Sequence, residues 1–271
     1  MALNHDLSNQ FPLKHSPLVQ CITNEITCES MANALLYVGA KPIMADDSRE
    51  FKQLFTQTDA LLLNLGHLSE KRQISLLEAS RYANETKKPT VVDLVGYGVS
   101  DIRNQVSLAL VENHPTVVKG NTSELRNFCE LTSHGRGVDG NELDQGEESL
   151  NELIDALKEM SQYYPYTTFL ATGPKDIVVS YDRTVMLSNG VEELDRFTGT
   201  GDIVGALIAA LLGDGQDPFD AVIGAVSYFN LCGEKAKSQS NGLAAFRFQT
   251  LNHLSLLMEE NWNQSVKGWE K

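Results

Sequence analysis

Short runs rich in β-branched and leucine-type residues alternate along this chain with stretches of helical period. Lys41–Ala45 (KPIMA), Ala60–Leu65 (ALLLNL), Thr90–Val95 (TVVDLV), Thr116–Lys119 (TVVK) and Thr167–Ala171 (TTFLA) are nearly continuous apolar segments. Such segments suit strands of a parallel sheet covered on both faces. Between them, Met31, Ala34, Leu35 and Val38 recur at i, i+3, i+4 and i+7, the spacing of one helical face. Residues 69–86, opening on Ser69, and the shorter stretches 101–112 and 121–131 predict further helices. This alternation predicts right-handed βαβ units in an open α/β sheet. Asp176–Tyr181 and Thr184–Leu187 flank Asp182-Arg183 and predict a tight hairpin, an antiparallel pair at one edge. From residue 201 onward the pattern is helical, over 201–213, roughly 217–237 and roughly 243–260. The segment 133–149 (SHGRGVDGNELDQGEES) is polar, acidic and glycine-containing, and predicts a solvent-exposed loop.

No Pro/Gly/Ser linker divides the 271 residues, so 1–271 is read as a single α/β domain. The formal charge of −14 argues against nucleic acid or an anionic membrane surface as the main partner. It also means that a polyanionic nucleotide would need local cations, from Lys and Arg or from Mg²⁺. The first residues, MALNHDLSNQFPLKHSP, lack a signal-peptide core, and no run of 18 apolar residues occurs. A cytoplasmic protein is expected. Four cysteines without a CxxC pair point to reduced thiols. Six histidines without HxH or HExxH spacing argue against a zinc site.

The most informative chemistry lies at residues 196–213, RFTGTGDIVGALIAALLG. Gly199-Thr200-Gly201 runs straight into an apolar helix whose first turn holds Asp202. The glycines allow close backbone approach, and the unpaired amides of a helix start make a seat for a phosphate. Asp202 beside that seat can accept a proton from an alcohol, the pairing that phosphoryl transfer to a hydroxyl uses. The plain alternative is a turn in which Asp is an N-cap. Ligands of open parallel sheets bind beyond the carboxyl ends of the strands. Asp93 ends TVVD there and could hold Mg²⁺ directly or through water, or simply form a turn. Lys119 could meet a phosphate. Glu124, three residues after Asn121, fits a capping box, or points through water at the same metal as Asp93. Thr172 and Lys175 follow another strand, in ATGPK, where a phosphate contact and a simple β-turn are both open. Asn24 and Thr27 fit helix caps. Met44 suits a flat heteroaromatic ring but equally a core position. Asn64, at the end of ALLLNL, could shape the same pocket.

CITNEIT, GAKPIMADD, LLLNLGHL, VVDLVGYGVSDIR, VVKGNTSEL, ATGPKDIVV and TGTGD occur in this order from about residue 17, and the similarity continues to about residue 255. Together they resemble the hydroxyethylthiazole kinases of thiamin salvage, within the ribokinase-like superfamily. The resemblance implies a ribokinase-like, mostly parallel central sheet with helices on both faces and an antiparallel edge. It implies transfer of the γ-phosphate of ATP to 4-methyl-5-(2-hydroxyethyl)thiazole with Mg²⁺, by a homotrimer with active sites between subunits. By motif, Met44, Gly199 and Asn24 would meet the thiazole and Lys119 and Thr172 the ATP. Asp93 and Glu124 would serve the metal, and Asp202 would be the base, with Gly199, Thr200 and Gly201 around the phosphoryl group. Four positions depart from the family pattern. Asp202 stands where the family often has Cys, although the wider superfamily uses Asp there. Leu94 replaces the proline of DPVG, which would relax the backbone beside Asp93. Lys119 replaces an arginine and loses its planar fork. Asn241–Phe246 (NGLAAF) replaces a GPGSF-like turn. Rival readings are another small-alcohol kinase of hydroxymethylpyrimidine type, an ATP-dependent dehydratase, and a weakly catalytic ligand-binding protein.

Overall fold

In a computed structural model, residue 3, residues 5–135 and residues 141–271 are described. The first half of the chain alternates strand and helix: β1 (Leu18–Ile22), α1 (Cys28–Tyr37), β2 (Lys41–Ile43), α2 (Phe51–Leu54), β3 (Ala60–Asn64), α3 (Glu70–Thr86) and β4 (Thr90–Asp93). It continues through α4 (Asp101–Val111), β5 (Val117–Asn121), α5 (Thr122–Phe128), α6 (Glu147–Tyr163) and β6 (Thr168–Thr172). The chain then runs β7 (Asp176–Val179), β8 (Thr184–Leu187), α7 (Thr200–Gly213), α8 (Pro218–Gln239), α9 (Leu243–Leu256) and β9 (Gly268–Glu270). Among the described residues nine strands form one sheet, in the order β2-β1-β3-β4-β5-β6-β7-β8-β9. Strands β1 to β6 are parallel, and β7, β8 and β9 are antiparallel additions.

The expected mostly parallel sheet with helices on both faces is what the chain builds. Alternate strand residues feed two cores. Cys21, Leu62, Val91, Val117 and Leu170 join α1, α7, α8 and α9 on one face. Leu63, Val92, Val118 and Phe169 join α3, α4, α5 and α6 on the other. Met31, Ala34, Leu35 and Val38 are all buried, as their spacing predicts. Ser69 caps α3 by accepting from the Arg72 amide.

Three expectations change. The hairpin is not the sheet edge, because the three-residue strand β9 pairs along β8. The 133–149 segment is not all loop: residues 142–145 form a 3-10 turn, and α6 begins at Glu147, while 136–140 lie outside the described residues. Its acidic residues Glu147 and Glu148 are a first helical turn, where the helix dipole favours anions. Strand β1, missing from the apolar runs above, carries Gln20 at its centre, with the Gln20 amide held by the Ala45 carbonyl.

Helix α7 is buried from Ile203 to Leu212. Small residues let it lie close on the sheet. A Cβ at Gly205 would stand 3.3 Å from Leu62 and 3.5 Å from the stem of Lys119. That seating points the start of α7 at the carboxyl ends of β3, β4 and β5.

Candidate functional site

The parallel register sets Asn64 beside Asp93 and Asp93 beside Lys119, on three neighbouring strands. They continue the rows of Leu62, Val91 and Val117, so they share the face that α7 covers. At this level the apolar core gives way to a polar chain. The Lys119 ammonium donates to Asp93 Oδ2 at 2.6 Å. The Asn64 amide donates to Asp202 Oδ1 at 2.9 Å and lies 3.4 Å from Asp93 Oδ2. Its own oxygen accepts from the Gly66 N–H at 2.8 Å, which orients the carboxamide. Asp202 Oδ2 accepts from the Asn24 amide at 3.0 Å and from the Thr27 hydroxyl. Asn24 in turn accepts the Thr27 N–H at 3.0 Å. One hydrogen-bonded chain thus runs from the approach to α1, through the first turn of α7, to β5.

The start of α7 is built as the glycine-rich motif predicts. Gly199 has φ +101°, the left-handed region, and caps the helix without a side-chain hydrogen bond. No N-cap side chain covers the first-turn amides, the arrangement that an anion seat would need. Thr200, Gly201 and Asp202 are half-exposed around it. The Lys119 ammonium lies 3.6 Å from where a Cβ on Gly201 would sit, so a cation underlies the same turn. A Cβ on Gly199 would meet Thr27 Cγ2 at 2.8 Å. Gly199→Ala is expected to lose about 1–3 kcal/mol through backbone strain alone. Adding Thr27→Ser removes the clashing methyl and should return part of the loss in thermal melts. A Gly199→Ala protein that melts with wild type would contradict this geometry.

Burial dominates the electrostatics. Asp93, only 2% exposed, is pushed up to about 6 by burial, with Lys119 pulling it back and the Asp202 charge raising it again. Glu124 is pushed up to about 7 by burial and then by Asp93, against the amides of Gly96 and Asn121 that bond to it. Asp176 is also raised by burial to about 7, while its two oxygens accept from the Gly173 N–H at 3.1 Å and the Asn230 amide at 2.9 Å. In the unfolded chain these groups titrate near 3.8 and 4.5. The folded state therefore holds the extra protons, and their contribution to stability is lost as pH rises through 6 to 7. His253, lowered by burial, works the other way as one group against three. In chelator, the urea midpoint should be lower at pH 8 than at pH 5. A flat or rising profile would contradict the burial of these acids.

Among the described residues no three His, Cys, Asp or Glu side chains form a metal cage. Asp93 and Glu124 are instead two hard-oxygen acids, buried together and electrostatically coupled. That suits Mg²⁺, which keeps several waters and takes one or two carboxylates together with substrate phosphates.

The other expected residues divide. Met44, just past β2, is half-buried against the α7-side core, so it has both a packed and an open side. Glu124 and Asn121 do form the capping box, and Glu124 also holds the Gly96 amide at 2.7 Å. Thr172 is half-exposed, and its hydroxyl lies 3.4 Å from the Gly120 carbonyl. Lys119 is no free cation: it is 2% exposed and paired to Asp93. Lys175 lies over the Trp269 ring at 5.9 Å. The Leu94 substitution does not relax the backbone beside Asp93. Its N–H donates to the Lys119 carbonyl at 2.8 Å, a sheet bond that proline cannot make. Sequence reasoning missed the bond from Thr27 to Asp202 and two arginine clamps. Arg103 donates to the carbonyls of Leu65, Val95 and Gly66 at 2.5, 2.8 and 3.1 Å. Arg72 donates to the Thr23 carbonyl and pairs with Asp46. An arginine in an amphipathic helix carries no signal of which loop it will hold.

Residues 12–260 match the pattern of the family described as "Hydroxyethylthiazole kinase family". A hydroxyethylthiazole kinase of Enterococcus faecalis is 67% identical over 259 residues, covering 95% of each chain. The solved structure of a hydroxyethylthiazole kinase protein from Pyrococcus horikoshii superposes with a TM-score of 0.85 at 31% identity, covering 96% of both chains. A pyridoxal kinase from Staphylococcus aureus shares the fold alone, at TM-score 0.58 and 12% identity over 82% of this chain and 89% of its own.

Proposed function

The chain belongs to the hydroxyethylthiazole kinase family, with a ribokinase-like fold, and from that premise we propose that its reaction runs at the polar chain beneath α7. It is a phosphotransferase that phosphorylates the hydroxyl of 4-methyl-5-(2-hydroxyethyl)thiazole in thiamin salvage. In our reading ATP is the donor. The substrate oxygen forms a bond to the γ-phosphorus, and the bond from that phosphorus to the β–γ bridging oxygen breaks. ADP leaves with the electron pair, and the alcohol proton passes to the Asp202 carboxylate.

The observation that carries this is Asp202 itself, half-exposed at an uncapped helix start with the Lys119 ammonium beneath the same turn. Asn24 and Thr27 together occupy Oδ2 and Asn64 takes one site on Oδ1, so Oδ1 keeps a lone pair for the proton. The transition state is loose, so the carboxylate orients the hydroxyl first and takes the proton late. The amides of Gly199, Thr200 and Gly201, with Lys119, offset the charge on the moving group. Asn24, Met44 and Gly199 lie toward the thiazole side and Thr172 toward the nucleotide side, where Lys119 acts on ATP as a buried, paired charge and not as a lining side chain. Mg²⁺, held by Asp93 and Glu124 through water, would neutralise triphosphate charge.

No described helix is long and apolar enough to cross a membrane. We read the chain as one cytoplasmic domain over 1–271 that works as a homotrimer with sites between subunits. A coupled assay over a panel of heterocyclic alcohols tests the assignment. Thiazole-dependent ADP formation is expected. Turnover only with pyrimidine alcohols, dehydration of substrate, or binding without ADP would each overturn it.

A further inference from the structure

The 3-10 turn at residues 142–145 brings Gln145 back over the ends of β5 and β6. There its carboxamide lies against Gly173. A Cβ on Gly173 would stand 2.9 Å from both Gln145 Oε1 and Thr122 Oγ1. Gln145 Oε1 is buried and has no hydrogen-bond partner. Two donors at this corner are already committed. The Thr122 hydroxyl donates to the Thr172 carbonyl at 3.1 Å, and the Gly173 N–H donates to Asp176 Oδ1 at 3.1 Å. A buried acceptor left without a partner is costly, so its donor is best sought in a ligand.

We propose that Gln145 selects the nucleoside of the phosphoryl donor by accepting a hydrogen bond from it, an inference that rests on the placement of ATP at Thr172. An acceptor cannot pair with phosphate oxygens, which only accept. ATP offers it two kinds of donor, the ribose hydroxyls and the amine of the base. Either fills the missing bond, and neither requires Gln145 to touch the reacting atoms. Gln145 is therefore a specificity residue and not a catalytic one.

The test uses the full-length enzyme as wild type, Gln145→Leu and Thr172→Val, with ATP, 2′-deoxy-ATP, 3′-deoxy-ATP and ITP. Gln145→Leu should raise KM for ATP about 3- to 10-fold, the size of one neutral hydrogen bond. Its kcat and its KM for the thiazole should stay near wild type. Its Tm should hold or rise, because a buried unpaired polar atom is removed; a residue that only braces the loop would lower it. Wild type should discriminate against the analogue that lacks the bonded group, and Gln145→Leu should lose that discrimination. Loss on a deoxy analogue identifies the ribose, and loss on ITP identifies the base amine. An unchanged KM for ATP in Gln145→Leu, with Thr172→Val impaired, overturns the role of Gln145 alone. If neither variant changes KM for ATP, the placement of the nucleotide falls as well.

Discussion

Asp202→Asn should lower kcat by about 10²- to 10⁴-fold, the usual worth of a positioned acid–base group, with the fold intact. The amide keeps one acceptor oxygen, which can face the Asn64 donor now 2.9 Å from Asp202 Oδ1. Its new N–H groups then face Thr27 and Asn24. The Thr27 oxygen can accept, because its proton has another acceptor in Asn24 Oδ1 at 3.0 Å. The network can therefore re-pair at Asn64 and Thr27, but the Asn24 amide, which now donates to Oδ2 at 3.0 Å, meets a donor and loses its acceptor, so a small loss of stability should accompany the loss of the proton acceptor. KM for ATP should stay near wild type, since no nucleotide contact is assigned to the carboxylate. Steady-state ADP formation with both substrates varied would check both parameters. Near-normal kcat would show that the alcohol proton leaves by another route and would remove the base.

Lys119→Met should cost about 3–5 kcal/mol at pH 8, the penalty for stranding one member of a buried ion pair. Asp93 is 2% exposed, and Lys119 is the partner that draws its pKa down. Without the ammonium the carboxyl rises further above its present value of about 6. The variant then takes a proton on folding at pH 8, at a cost that shrinks toward pH 5. Urea unfolding at the two pH values should show the deficit mainly at the higher one. Adding Asp93→Leu removes the stranded acid and should return most of the stability, because apolar replacement of a buried pair is often neutral. The double variant should remain inactive, having lost the cation under α7 and one of the two carboxylates proposed to serve Mg²⁺. A single variant as stable as wild type at pH 8 would mean that the pair is not closed in solution.

Much of this was legible in the sequence, for a physical reason. Buried parallel strands need continuous apolar runs, so β3, β4, β5 and β6 stood out, and the polar residues that close them marked the end of the sheet where the proposed site lies. The glycine-rich entry to α7 was legible because a left-handed cap and an uncapped helix start both demand it. What stayed hidden depends on partners distant in sequence. Lys119 looked like a free phosphate ligand until the register set it beside Asp93, 26 residues away. Leu94 looked like a loosened turn, but a backbone N–H reveals its acceptor only when strands are aligned. Helix α6 was obscured because acids in a first helical turn resemble those of a solvated loop, although Leu150, Leu153, Ile154 and Leu157 bear the helical period.

The acid of α7 draws its three hydrogen bonds from residues 138 to 178 positions earlier in the chain. A protein synthesised from its amino end exposes those donors well before their acceptor exists. The nascent chain therefore carries an open notch lined with unsatisfied amides until α7 clears the ribosome and docks. Competence should appear abruptly at that moment, so a stalled, shorter translation product would be inert toward ATP.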